Sequence, residues 1–305
     1  AGMIVAASII AGRALAPVDQ VIGQWRSIVR AREAHRRLKA VFSEQPKAQQ
    51  TVALPAPDGK LDVAGITKIA IGSRGRNDRP PILDRVSFRL EPGDAVGVIG
   101  PSASGKSTLA RILVGAWKPD AGEVRIDGAA LDQWPEADLG RHIGYLPQHL
   151  ELMAGTIRDN IARFDPDADD EGVIKAAKLA GVHDMVLQLP EGYATELGYD
   201  TQPLSGGQIQ RIGLARAVYG MPRYVVLDEP NSNLDSAGDE ALSRTIAALR
   251  EAGSTVVVMA HRPSAIAAVN KVLVLHNGQV AEFGDKEAVL QKATKQRQRV
   301  EETAL

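Results

Sequence analysis

The sequence predicts an α/β fold. In the second half of the chain, β-branched apolar runs alternate with a helical segment: Tyr224–Leu227, then the helix 237–252, then Thr255–Met259. An earlier buried run, Ala95–Ile99, leads directly into a glycine-rich loop, and a helix from about Lys106 to Gly115 follows that loop. Buried strands that alternate with helices are typical of α/β domains.

Composition limits the classes of function that are open to the chain. The 305 residues are 44% hydrophobic and 24% charged, which is typical of a globular protein. The net charge of −1 gives no bulk positive field, so we expect no nucleic-acid partner. Because the chain has no cysteine, disulfide frameworks and thiolate metal sites are excluded.

Residues 1–17 are mostly apolar and start at Ala1 rather than Met, so we expect a longer polypeptide in which they end a transmembrane helix. The apolar run Met3–Gly12 is alone too short to span a bilayer, which takes about 20 residues. A buried helix and a signal peptide are the alternatives. Residues 18–45 have apolar side chains at helical spacing and a basic opposite face, which predicts an amphipathic helix leading from the membrane. An ordinary solvated helix face would give the same pattern.

Proline and polar residues make 46–60 a linker. The predicted domain covers 61–285, with a helical subdomain at about 139–220 and early strands at Leu61–Val63, Lys68–Ile71 and Val86–Leu90. The turn Asn277-Gly278 predicts a hairpin, and 286–305 is expected to be a polar C-terminal helix and tail.

The glycine-rich loop fits the phosphate-binding pattern G-x-x-x-x-G-K-[ST]. Its glycines let backbone N–H groups point at phosphate, and the helix N-terminus adds partial positive charge. Lys106 is expected to reach the β- and γ-phosphates of ATP, and the Ser107 hydroxyl is expected to ligate Mg²⁺. The expected nucleotide-binding residues are Gly100, Pro101, Ser102, Ala103, Ser104, Gly105, Lys106, Ser107 and Thr108.

Two further motifs support a nucleotide site. The strand Tyr224–Leu227 ends in Asp228, a predicted Mg²⁺ ligand, and Glu229, the predicted base for the attacking water. After Leu204, a predicted helix begins with an N-cap serine and two glycines. The N-terminus of this helix is expected to bind phosphate through Ser205, Gly206, Gly207 and Gln208. Since the chain already has one phosphate loop, this second phosphate-binding segment would contact the nucleotide of another copy.

LSGGQ, GPSASGKST and VVLDEP together resemble the ATP-binding cassette (ABC) family of P-loop NTPases, over about 61–285. The resemblance implies a mixed sheet with a helical subdomain, and two copies that sandwich ATP head to tail. It also implies that Gln148 contacts Mg²⁺ and water, that Asp235 links the two sites, and that His261 hydrogen-bonds the γ-phosphate. Two positions depart from the family: Ala70 stands where an aromatic residue usually stacks on adenine, and Tyr199 stands where exporters usually have a glutamate that touches the membrane domain.

Short segments narrow the resemblance further. Met153–Ile161 is similar to the exporter segment that meets a coupling helix, and Asn231-Ser232-Asn233 resembles the type I protein-secretion ATPases. Such proteins are inner-membrane half-transporters with cytoplasmic ATP-binding domains. Their partners would be a transmembrane domain, a second copy, a periplasmic membrane-fusion adaptor, an outer-membrane channel and an exported protein. An exporter of a lipid or small molecule and a soluble non-transport ABC ATPase are the alternatives.

Overall fold

The computed structural model describes residues 2–43, 54–70, 80–198, 204–261 and 263–292. The chain divides into two compact units, residues 1–52 and 53–305. This division falls inside the predicted linker 46–60.

The first unit contains the helix α1, Gly2–Ser43, which is continuous through Pro17. The sequence placed a division at residue 17, yet the described backbone is one helix on both sides of it. By length and composition, α1 is the one helix of the described chain that could cross a membrane, and its most apolar window has a mean hydropathy of 1.4. No part of that window is buried inside the described chain. A signal sequence near an N-terminus would meet the same criteria.

The second unit is built from two main sheets and a group of helices. Its strands are β1 Leu61–Lys68, β2 Leu83–Leu90, β3 Ala95–Ile99, β4 Ala121–Ile126, β5 Ala129–Ala130, β6 Ile143–Leu146, β7 Gly155–Thr156, β8 Glu196–Leu197, β9 Tyr224–Asp228, β10 Thr255–Met259, β11 Lys271–His276 and β12 Gln279–Asp285. Its helices are α2 Lys106–Leu113, α3 Glu136–His142, α4 Ile157–Ile161, α5 Asp170–Leu179, α6 His183–Leu187, α7 Gly206–Val218 and α8 Ser236–Glu251, followed by helical residues 286–292.

The larger sheet has the strand order β12-β11-β3-β10-β9-β6 among the described residues. β11, β3, β10, β9 and β6 run parallel, and β12 closes the edge antiparallel to β11. The hairpin predicted at Asn277-Gly278 is confirmed, with positive φ angles of 48° and 76° at its two turn residues. The second sheet, in the order β2-β1-β4-β5, is antiparallel.

The central strands are buried on both faces, which explains their continuous apolar sequences. Along β10, Val257 and Met259 pack with the antiparallel sheet and α2, whereas Val256 and Val258 pack with the helices on the other side. The sheet thus lies between two hydrophobic clusters, which position the ends of its strands.

Several predicted boundaries are wrong. Leu61–Val63 and Lys68–Ile71 were expected as separate strands, but β1 is one strand; its register shifts around Gly65, where φ is +64°, and this irregularity broke the sequence pattern. Ile71 lies outside the described residues. The range 139–220 includes β6, which belongs to the main sheet, and the four residues of β6 are too few to give a clear pattern.

The last part of the predicted linker is fixed to the second unit. The backbone N–H groups of Asp58, Gly59 and Lys60 all donate to the Asp127 carboxylate, at 2.8–3.1 Å. Residues 58–60 are therefore hydrogen-bonded to the second unit. At the other end of the chain, residues 286–292 are helical, and the rest of the predicted tail lies outside the described residues.

Candidate functional site

The candidate site lies at the carboxyl ends of adjacent parallel strands. The glycine-rich loop follows β3, His261 follows β10, Asp228 and Glu229 lie at the end of β9, and Gln148 follows β6. Because β3, β10, β9 and β6 are neighbours in this order, their ends meet along one edge of the sheet.

The loop that opens α2 has the backbone shape expected of a phosphate cradle. Gly105 precedes α2 in a left-handed conformation with φ 101°, and a Cβ there would lie 2.7 Å from Leu83 Cδ2. A Cβ on Gly100 would lie 2.1 Å from the carbonyl oxygen of Leu275. Both positions therefore require glycine for local reasons. The first N–H groups of α2 have no partner within the helix and face the loop.

Lys106 is folded over this loop. Its side chain is 5% exposed, and Nζ donates to the carbonyl oxygens of Gly100 at 2.8 Å and Pro101 at 2.9 Å. Burial lowers the pKa of Lys106, while the nearby carboxylates of Glu229 and Asp228 oppose that shift. A buried ammonium group held by weak carbonyl partners can form stronger charge-assisted hydrogen bonds with phosphate oxygens.

Three side-chain oxygens meet at the start of α2. Ser107 Oγ lies 3.3 Å from Asp228 Oδ1 and 3.5 Å from Gln148 Oε1. Burial raises the pKa of Asp228, and the adjacent Glu229 raises it further, against the effects of Ser107, Arg111 and Lys106. Hydroxyl, amide and carboxylate oxygens are ligands that Mg²⁺ accepts, so this set fits the metal.

Glu229 is held by both of its carboxylate oxygens. Gln148 Nε2 donates to Oε2 at 3.0 Å, and His261 Nε2 lies 2.7 Å from Oε1. The backbone of Glu229 has φ 53°, an uncommon value for a residue with a side chain, and its N–H donates to the carbonyl of Met259 at 3.0 Å. The three residues predicted as catalytic are thus in direct contact.

The second predicted phosphate-binding segment, residues 205–208, lies at the start of α7. Ser205 is the N-cap: its Oγ accepts from Gln208 N at 3.3 Å, and Gln208 Oε1 accepts from Ser205 N at 2.8 Å. Within the described residues, no hydrogen bond joins 205–208 to the loop 100–108. Further along α7, Arg211 contacts the carboxylate of Asp235, which caps α8 through Gly238 N at 2.8 Å.

Several residues near the site were not predicted from the sequence. Burial raises the pKa of Tyr145, and the nearby guanidinium of Arg111 opposes that shift. Gln210, 2% exposed, donates to the Pro230 carbonyl at 3.1 Å and so ties α7 to the turn after Glu229. The sequence could have indicated Tyr145 and Gln210 only through their closeness along the chain to the motif residues. Tyr199, predicted as a departure from the family, lies outside the described residues.

Comparisons with known proteins agree with this geometry. Residues 83–232 match the family described as ABC transporter. The chain contains an ABC transporter domain. It is 49% identical to the type I secretion system ATP-binding protein PrsD of Rhizobium meliloti, over 100% of this chain and 51% of that protein.

Two further relatives and one solved structure extend the comparison. The cyclolysin secretion/processing ATP-binding protein CyaB of Bordetella pertussis is 37% identical over 95% of this chain, and the leukotoxin translocation ATP-binding protein LktB of Mannheimia haemolytica is 35% identical over 96%. The chain spans 40% of each of these two proteins and 51% of PrsD, so it covers about half or less than half of the length of the curated relatives named here. The structure of a bacterial Atm1-family ABC exporter with ATP bound aligns at a TM-score of 0.74 and 28% identity, over 95% of this chain and 51% of that one.

Proposed function

We propose that residues 61–285 form the ATP-binding and ATP-hydrolysing domain of an ABC exporter that powers type I protein secretion. The observation that carries the hydrolytic part is the contact of Gln148, Glu229 and His261 at the sheet edge beside Lys106 and Ser107. ABC exporters and secretion ATPases among the similar proteins support the transport part.

Binding of ATP would use the loop 100–108. Its backbone N–H groups and those at the start of α2 would donate to the phosphate oxygens, and Lys106 would exchange its two carbonyl partners for β- and γ-phosphate oxygens. The Ser104 hydroxyl is buried without a hydrogen-bond partner in the described part of the chain, which leaves it free to donate to phosphate.

Hydrolysis would use Glu229 as the base. A water oxygen attacks the γ-phosphorus, the bond from that phosphorus to the bridging oxygen of ADP breaks, and the water proton passes to the Glu229 carboxylate. Gln148 and His261 fix the orientation of this carboxylate through its two oxygens. The products are ADP and inorganic phosphate.

Mg²⁺ would be held by Ser107 and Asp228, directly or through water, with Gln148 beside them. When bound, the ion neutralises charge on the β- and γ-phosphates. Burial is the main cause of the raised pKa of Asp228, and the positive charge of a bound divalent ion would favour its ionised form.

The start of α7 would complete the site of a second copy. Ser205, Gly206, Gly207 and Gln208 lie on a different element from the phosphate loop and present a capped helix N-terminus. In a head-to-tail dimer, this N-terminus would meet the γ-phosphate held by the partner's loop.

The whole transporter would be an inner-membrane half-transporter with this domain in the cytoplasm. α1 would connect the domain to a transmembrane part. The further partners would be a periplasmic membrane-fusion adaptor, an outer-membrane channel and the exported protein.

Two measurements test this proposal. The purified full chain should hydrolyse ATP, with turnover lost in EDTA; absence of Mg²⁺-dependent turnover would refute the ATPase assignment. In the native cell, a chromosomal Glu229→Gln substitution should remove specific proteins from the culture medium and retain them inside. A medium with unchanged proteins but a missing lipid or small molecule would overturn the assignment to protein secretion.

A further inference from the structure

The loops that carry Glu229 and His261 are joined by a side-chain hydrogen bond in which neither of these two residues takes part. Asn231 Nδ2 donates to Ser264 Oγ at 3.0 Å. Asn231 lies two residues after Glu229, and Ser264 lies three residues after His261. We propose that Asn231 is a positioning residue, which keeps His261 against Glu229 by holding these two loops together. This inference rests on the ATPase function proposed above.

The backbone around Glu229 directs the Asn231 side chain toward the other loop. Ser232 N donates to the Glu229 carbonyl at 3.2 Å, which closes a tight turn. Gln210 Nε2 donates to the Pro230 carbonyl in the same turn. Asn231 is 3% exposed although its side chain is fully polar. A buried amide needs hydrogen-bond partners, so the loss of one leaves the turn free to rearrange.

The loop that carries His261 is anchored on both sides. On one side, Ala260 N donates to the Val98 carbonyl at 3.0 Å. On the other, Ser264 belongs to the 3₁₀ turn Pro263–Ile266, in which Ala265 and Ile266 are buried. His261 itself is 38% exposed at its side chain, so the surrounding core does not fix it. The Asn231–Ser264 bond is therefore well placed to set the distance between the histidine and Glu229.

The geometry makes a specific prediction for turnover. Asn231→Ala and Ser264→Ala should each lower kcat about tenfold, because a displaced orienting group slows the reaction. KM for MgATP should change less than about twofold, since Lys106 and the phosphate loop are untouched. The double variant should be no slower than the slower single variant, because both substitutions remove the same bond.

Two controls separate positioning from a merely structural role. Ser264→Thr keeps the hydroxyl acceptor and should restore most of kcat relative to Ser264→Ala. Ser254→Ala removes another buried hydrogen bond, Ser254 Oγ to the Pro222 carbonyl at 2.8 Å, at the opposite end of β10. It should lower the melting temperature and leave kcat unchanged.

A crystal structure of this chain with Asn231→Ala gives a readout that does not need activity. The contact between His261 Nε2 and Glu229 Oε1, now 2.7 Å, should be broken. An unchanged contact, a kcat within twofold of wild type in both alanine variants, or losses that multiply in the double variant would each overturn the positioning role. If the wild-type chain and Ser254→Ala both fail to turn over ATP, the proposed function fails, and the crystal structure still decides whether Asn231 positions His261.

Discussion

The substitution Glu229→Gln tests whether the carboxylate acts as the base, because it removes the carboxylate and keeps the shape of the side chain. In the structure, the two oxygens of Glu229 face two neighbours, Gln148 Nε2 at 3.0 Å and His261 Nε2 at 2.7 Å. A glutamine has one acceptor oxygen, so one of these contacts would become a donor–donor contact unless Gln148 turns its amide or His261 carries its proton on Nδ1 and accepts at Nε2. We expect a stability loss of about 1 kcal/mol from this conflict.

The effect on turnover should be much larger. General-base catalysis contributes about 10²–10⁴-fold, which corresponds to about 3–5 kcal/mol of activation free energy. ATP affinity should persist, because Lys106 and the loop 100–108 remain intact. Steady-state phosphate release and equilibrium nucleotide binding, measured on the same preparation, separate the two effects. A kcat within twofold of wild type would refute Glu229 as the base.

Three other perturbations test separate parts of the site and the fold. Lys106→Ala should weaken MgATP binding at least tenfold, measured by calorimetry, because charge-assisted phosphate contacts contribute about 1.5–3 kcal/mol; retained tight binding would contradict the loop assignment. Gly105→Ala should cost about 1–3 kcal/mol in thermal unfolding, since φ is +101° and its Cβ would lie 2.8 Å from the Ile82 carbonyl; an unchanged melting temperature would show that the loop relaxes. Burial alone would raise the pKa of Asp94, but hydrogen bonds from the preceding turn, Asn270 and Lys271 lower it overall. Its contribution to stability is therefore present above the ordinary value of 3.8 and is lost as pH falls through the lowered folded pKa. The difference in unfolding free energy between wild type and Asp94→Asn should shrink over that range, and a constant difference would exclude this linkage.

The central sheet could be predicted because its strands are buried on both faces. Continuous runs of mostly apolar residues are typical of such strands. The sequence shows them at Ala95–Ile99, Tyr224–Leu227 and Thr255–Met259. β6 and β4 were missed for different physical reasons. β6 has only four residues, and β4 has three exposed residues at its start, so neither gives a clear period in the sequence.

The residues of the candidate site that belong to motifs could be predicted from the sequence. The order of the motifs along the chain and their resemblance to a family identified Lys106, Gln148, Glu229 and His261. The contacts between loops could not be predicted, because they depend on turn geometry that no local pattern encodes. The bond from Asn231 to Ser264 spans 33 residues and exists only because two neighbouring strands end at the same edge of the sheet.

The claim that two copies share each ATP site can be tested most directly by mixing two inactive variants. Lys106→Ala removes the phosphate-loop contact. Gly206→Asp places a carboxylate at the start of α7, where it would repel phosphate, and its Cβ has ordinary van der Waals room, 3.5 Å from Asn233 Cγ. A mixed dimer would contain one site with an intact loop from one copy and an intact 205–208 segment from the other.

ATP turnover of the mixture, compared with each variant alone, is the deciding measurement. If the site is shared, the mixture should recover a substantial part of wild-type turnover while each variant alone stays inactive. If Gly206→Asp alone keeps wild-type turnover, or if the mixture is no more active than its two components, the shared site is contradicted.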